Sequence, residues 1–194
     1  RNRVVAVNGF RKKNEYSDFV DFCIDRDNLE DYITAAKFLN NNPNAKVIEI
    51  QHEFGIFGGK EINGKRIGNY ILEFINNLNK PIVTTCHTAI ESPLNEEDVS
   101  VFNERKKNLT EILNKSKKII AISNTAKEIL TGYGINPEKI EVIMHGVHNF
   151  HELPEHSKKI LGLEDKFVML MVGLVRRKRG MEYVIQSLPP VVEK

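Results

Sequence analysis

Two kinds of apolar pattern alternate along the chain, and this alternation constrains the fold more than any single motif. Short β-branched runs at residues 3–7 (RVVAV), 46–50 (KVIEI), 81–85 (PIVTT), 118–122 (KIIAI) and 139–144 (KIEVIM) read as strands. Segments with apolar residues at helical spacing lie between them. In residues 27–41, Leu29, Ile33, Ala36 and Leu39 share a face, Asp27 or Asn28 supplies the cap, and Glu30 and Asp31 suit the first turn. Residues 66–79 place Ile67, Tyr70, Ile71, Phe74, Ile75 and Leu78 at helical spacing. A long helix is expected from about Glu96 to Asn114, with three acids in its first turn. Another opens at Ser123 or Asn124 and ends at Gly132 or Gly134. Helical crossovers between strands imply parallel pairing, hence an α/β fold with a doubly wound parallel sheet. Runs such as KIIAI fit a sheet covered on both faces.

Residues 149–165 form a polar stretch with Pro154 and no clear period, which reads as an interdomain linker. Residues 166–175 (KFVMLMVGLV) predict a new strand, and MEYVIQSL a new helix near Gly180 that Pro189 and Pro190 kink or end. One strand and one helix cannot bury their own faces, so residues 166–194 are expected to open a second α/β domain, with residues 1–148 as the first. The chain enters a strand almost at once after Arg1 and stops at Lys194 near a helical pattern, so the expectation is part of a longer polypeptide.

Composition narrows the function classes. A net charge of +2 exerts no strong pull toward nucleic acid. No apolar run approaches the roughly 18 residues of a membrane span. Cys23 and Cys86 lack paired spacing, and the expected setting is reducing and cytoplasmic. G-x-G-x-x-G, G-x-x-x-x-G-K-[ST] and G-x-S-x-G are all missing, which disfavours a Rossmann dehydrogenase, a P-loop enzyme and an α/β-hydrolase.

In an open parallel sheet, ligands bind beyond the carboxyl ends of the strands. Residues of catalytic type recur there: His52 and Glu53 followed by Gly55, Gly58 and Gly59, then His87, then Ser123, then His145. His87, after a buried strand and two threonines, is the strongest candidate, because an imidazole at a strand tip is a natural donor to a hydroxylated ligand. Ser123 has a competing role as a helix cap, and His52 and Glu53 as a surface pair. The spacing of His145, His148 and His151 suits a metal poorly, since Gly146 argues against a helix there, and no metal site is expected. The segment GLVRRKRG joins a strand to a helix start, where backbone N–H groups, the helix dipole and arginines favour an anion. Phe54, Ile56 and Phe57 make a greasy loop tip. Packing on its own domain is the preferred reading, with an acceptor or peripheral membrane contact as the alternative.

The stretches IQHEFGIFGG, PIVTTCHT, SKKIIAISNTAKEIL, KIEVIMHGV and VGLVRRKRGMEYVIQSLP, in this order, resemble GT-B glycosyltransferases of family 4, the group 1 retaining type. The resemblance implies two Rossmann-like domains facing a cleft, an amino-terminal one for a hydroxylated acceptor (sugar, lipid or small molecule) and a carboxyl-terminal one for a nucleotide-diphosphate sugar donor. His87 matches the histidine of the family's T-x-H stretch near the transferred sugar, and has the catalytic role. His52, Glu53, Gly55, Gly58, Gly59, Ser123 and His145 would line the acceptor side. Gly173 matches the glycine of the donor-phosphate loop, with Arg176, Arg177 and Arg179 as its cations. The family often has arginine where Leu174 stands and lysine where Arg179 stands, so the anion contacts must differ here. Neither a cofactor nor a metal is implied. The glycine-rich loop after the first strand and the paired glutamates that hold the donor are not in this sequence, so the chain alone is expected to be inactive. The rival readings are another GT-B enzyme, such as a nucleotide-sugar epimerase, and a non-catalytic carbohydrate- or partner-binding remnant.

Overall fold

A computed structural model describes residues 2–9, 16–93, 98–147, 157–173, 175 and 180–192. The chain divides into two compact units, Arg1–Gly146 and Val147–Lys194.

The first unit is α/β. Strands β1 (Val4–Asn8) and β2 (Val20–Asp25) pair in parallel. Helix α1 (Leu29–Asn41) follows, capped as expected by Asn28, whose side chain accepts from the Glu30 N–H. Strand β3 (Ile48–His52) leads to a hairpin, β4 (Glu61–Ile62) and β5 (Lys65–Arg66), then to helix α2 (Tyr70–Asn76) and strand β6 (Ile82–Cys86). Helix α3 (Val99–Lys115), strand β7 (Lys118–Ala121), helix α4 (Asn124–Gly132) and strand β8 (Ile140–Val142) complete the unit. Strands β3, β6, β7 and β8 form one parallel sheet in that order, in register Ile50–Thr84–Ile119–Ile140. The α/β class and the parallel, Rossmann-like sheet are as the sequence predicts.

The strand order advances in one direction. Right-handed crossovers then lay successive helices on the same face of the sheet. The packing agrees. Ile50 and Ile82 join Tyr32, Ala36, Leu39, Ile71, Phe74, Ile75 and Ile112 in one buried cluster. Cys86, Ile119, Ala121 and Ile140 join Leu109, Leu113, Ala126 and Leu130 in another. Side chains alternate along a strand, so the opposite face carries Glu49, Gln51, Val83, Thr85 and Ile120, more exposed apart from Thr85.

Several boundaries differ from expectation for visible reasons. Strand β3 runs two residues further, through His52, because its ladder with β6 continues to the His52–Cys86 pair. Helix α2 starts at Tyr70 rather than residue 66. Arg66 is held in the hairpin opposite Glu61, and Gly68, at φ 77°, cannot propagate a helix. The hairpin turns on Asn63 and Gly64, both at positive φ, the two-residue turn that Asn-Gly favours. Of the acids assigned to the first turn of α3, Glu96 and Glu97 lie outside the described residues, and Asp98 is the residue before the helix. Helix α4 ends as predicted, with Gly134 at φ 85° donating to the Thr131 carbonyl and Ile135 to that of Leu130.

In the second unit, helices α5 (Ser157–Ile160), α6 (Met181–Ser187) and α7 (Pro189–Val192) form. The strand expected over residues 166–175 does not: residues 167–172 carry no ladder, and Phe167, Leu170 and Val172 are 93, 79 and 86% exposed. A strand needs a neighbour for its N–H and C=O groups, and none is placed beside this stretch among the described residues.

Candidate functional site

Parallel pairing brings the carboxyl ends of β3, β6, β7 and β8 to one edge, so His52, Cys86 and the residues after Ala121 and Val142 end together. The His87 N–H donates to the His52 carbonyl at 3.0 Å, carrying the ladder one residue further. Alternation puts Glu49, Gln51, Thr85 and His87 on one face and His52 on the other.

On the first face a chain of polar contacts leads to the edge. Glu49 Oε1 accepts from the Thr85 hydroxyl at 2.9 Å and from Gln51 Nε2 at 2.6 Å. Gln51 Oε1 lies 2.6 Å from His87 Nε2. The segment after β8 continues the pairing, with the Ile143 N–H donating to the Ala121 carbonyl at 3.0 Å. It delivers His145 onto His87, ring centroids 5.5 Å apart and planes at 22°. One residue beyond β3, the half-buried Glu53 carboxylate accepts from the Thr88 hydroxyl and from the Phe54 N–H at 3.1 Å. Arg105 lies over the Phe54 ring, 5.0 Å from its centroid, and donates to the Arg66 carbonyl at 2.7 and 2.9 Å. Burial lowers its guanidinium pKa, and the nearby charge of Glu53 works against that.

His87 and His145 therefore stack at the edge, and Glu53 follows β3 there and bonds to Thr88, the residue after His87. His52 does not present its ring there. It is fully buried, edge-on to Phe54 at 5.1 Å and beside Phe57 at 5.8 Å, with neither ring nitrogen hydrogen-bonded among the described residues. Burial first, and the proximity of His87 second, push its pKa down to about 4. Phe54 and Phe57 are 3 and 4% exposed, so the greasy loop packs on its own unit, with Ile56 exposed. Its glycines serve that packing. A Cβ on Gly58 would sit 1.8 Å from the Arg26 carbonyl oxygen. One on Gly59, at φ 119°, would sit 2.2 Å from Asn69 Oδ1. Gly55 borders open space. Ser123 caps α4, its hydroxyl accepting from the Ala126 N–H at 3.0 Å.

Gly173 belongs to the second unit and has φ 145°, a conformation suited to glycine. Leu174, Arg176, Arg177, Arg179, His148 and His151 lie outside the described residues. Among the described residues, no three His, Cys, Asp or Glu side chains are grouped to hold a metal. Burial pushes the Cys86 thiol up to about 12, so the residue beside His87 is not a thiolate nucleophile. Sequence reading missed Glu49, Gln51 and Thr85 as a group. Their signal is period-two alternation, legible once β3 is extended to His52.

This edge offers an imidazole, an amide, a carboxylate and hydroxyls, the groups that bind hydroxylated ligands. Residues 67–149 match the model of Glycosyltransferase Family 4. The span covers α2 through β8 and includes His87, Ser123 and His145. The chain is thus glycosyltransferase family 4-like over this part. No curated protein matches it. No helix among the described residues is long and apolar enough to cross a membrane.

Proposed function

We propose that the protein is a retaining glycosyltransferase that moves a sugar from a nucleotide-diphosphate donor to a hydroxyl acceptor. The observation that carries this reading is His87 at the tip of β6, inside the family-matched span, bonded to Gln51 and covered by His145. In such a reaction the transferred carbon gains oxocarbenium character while charge grows on the departing diphosphate. His87 hydrogen-bonds a sugar hydroxyl and orients it. Glu53, half-buried at the same edge, lines the acceptor side. Gly173, with Arg176, Arg177 and Arg179, takes the diphosphate, where cations and backbone N–H groups offset the developing charge.

A screen of the full-length protein against nucleotide sugars tests this. The expected result is a raised melting temperature with one nucleotide-diphosphate sugar, and release of the nucleoside diphosphate once an acceptor is added. Replacing Arg176 and Arg179 with glutamine should weaken donor binding. Affinity for sugars without affinity for any nucleotide would instead indicate a carbohydrate-binding protein.

A further inference from the structure

We infer that Glu49 and Gln51 form a positioning relay that fixes the tautomer of His87 and leaves its Nδ1 as an acceptor for a ligand hydroxyl. The relay rests on the contacts along β3 and β6. That the ligand is a sugar rests on the transferase reading above.

An amide has one end that only donates and one that only accepts. Gln51 is held between a carboxylate and an imidazole, 2.6 Å from each. A carboxylate oxygen accepts, so the amide nitrogen must face Glu49. Thr85 reinforces this arrangement, since its hydroxyl donates to the same Glu49 oxygen at 2.9 Å. The Gln51 oxygen is thereby turned toward His87. It can only accept, so Nε2 of His87 must carry a proton. A neutral imidazole has one N–H, and Nδ1 is then a bare lone pair. No hydrogen bond to Nδ1 is found among the described residues. His145 stacks against the ring's face, 5.5 Å between centroids, and not against its edge nitrogens.

The chemical consequence is selectivity. A bare ring nitrogen accepts from an O–H and repels the oxygens of a phosphate or carbonyl. His87 is therefore suited to a hydroxyl that gives its proton to Nδ1, the reverse of the donor role suggested by its position alone. Glu49 and Gln51 are exposed residues on a sheet face, so neither is needed to fill the core. They act through His87 and are positioning residues.

Long-range proton–nitrogen correlation spectra of the chain, labelled with ¹⁵N histidine and recorded above pH ~8 where histidines are ordinarily neutral, test the relay directly. In the native chain Nε2 of His87 should show the protonated, pyrrole-type resonance. Glu49→Lys places a donor opposite Gln51. The amide should then turn its nitrogen toward His87 and move the proton to Nδ1, exchanging the two nitrogen signatures. Gln51→Leu added to Glu49→Lys should abolish that exchange. A native His87 protonated on Nδ1, or one indifferent to Glu49→Lys, overturns the inference. The transferase reading is checked separately. If the tautomer inverts as expected, transfer by the full-length Glu49→Lys variant should fall about tenfold in kcat/KM, the worth of one hydrogen bond. An inverted tautomer with unchanged transfer would leave the relay standing and overturn the sugar contact.

Discussion

His52 shows most plainly how two residues of the same kind diverge when neighbouring strand positions face opposite ways. His87 points to the polar face, and His52 lies in the core with its folded pKa lowered from 6.5 to about 4. The unfolded chain therefore takes up a proton first as pH falls. The stability that His52 contributes as a neutral ring is complete above pH 6.5 and is lost progressively down to about pH 4. The loss should be roughly 3 kcal/mol. Urea unfolding midpoints across this range should show it, and His52→Leu should flatten this part of the slope while keeping stability near native at pH 7, since an apolar group of similar size replaces unpaired nitrogens. An unchanged slope in the variant would mean other groups carry the acid sensitivity. At this scale the sequence is only half legible. Ending the apolar run at Ile50 makes His52 look like an edge residue, whereas the ladder, which depends on β6, draws it inside.

At the scale of elements, local signals are legible in the sequence and tertiary ones are not. Asn28, Ser123 and Gly134 do what their residue types predict at helix ends. Ser123→Ala should accordingly cost about 1 kcal/mol in thermal or urea unfolding, and a loss well beyond that would mean the hydroxyl does more than cap α4. The loop after β3 was legible as glycine-rich but not for its reason. Tyr32 Oη accepts from the Gly58 N–H at 2.9 Å and donates to the Arg26 carbonyl at 3.0 Å, which clamps Gly58 against Arg26. Gly58→Ala should therefore destabilise by about 3 kcal/mol or more, while Gly55→Ala should stay within about 0.5 kcal/mol. Equal effects at the two glycines would contradict this packing. The β4–β5 hairpin was missed although Asn63-Gly64 announces it, because the apolar spacing of the residues that follow suggested an earlier start for α2.

At the scale of the whole molecule, the alternating pattern specifies an α/β unit whose strands end together at one sheet edge, because strand type and crossover follow from local periodicity. It does not specify which stretches find partners. Residues 166–175 read as a strand on composition, yet residues 167–172 stand exposed without one. Hydrogen exchange should distinguish the two units, with amides of residues 167–172 exchanging fast and those of Ile119–Ala121 protected. Protection of the former would restore the expected strand. In the proposed function, sugar transfer occurs at the edge bearing His87. Its most direct measurement is nucleoside diphosphate release by full-length His87→Ala with donor and acceptor present. In this variant kcat/KM should fall about a hundredfold, the scale of a misplaced reacting group, with unfolding behaviour retained. Transfer at the native rate would contradict the proposed function.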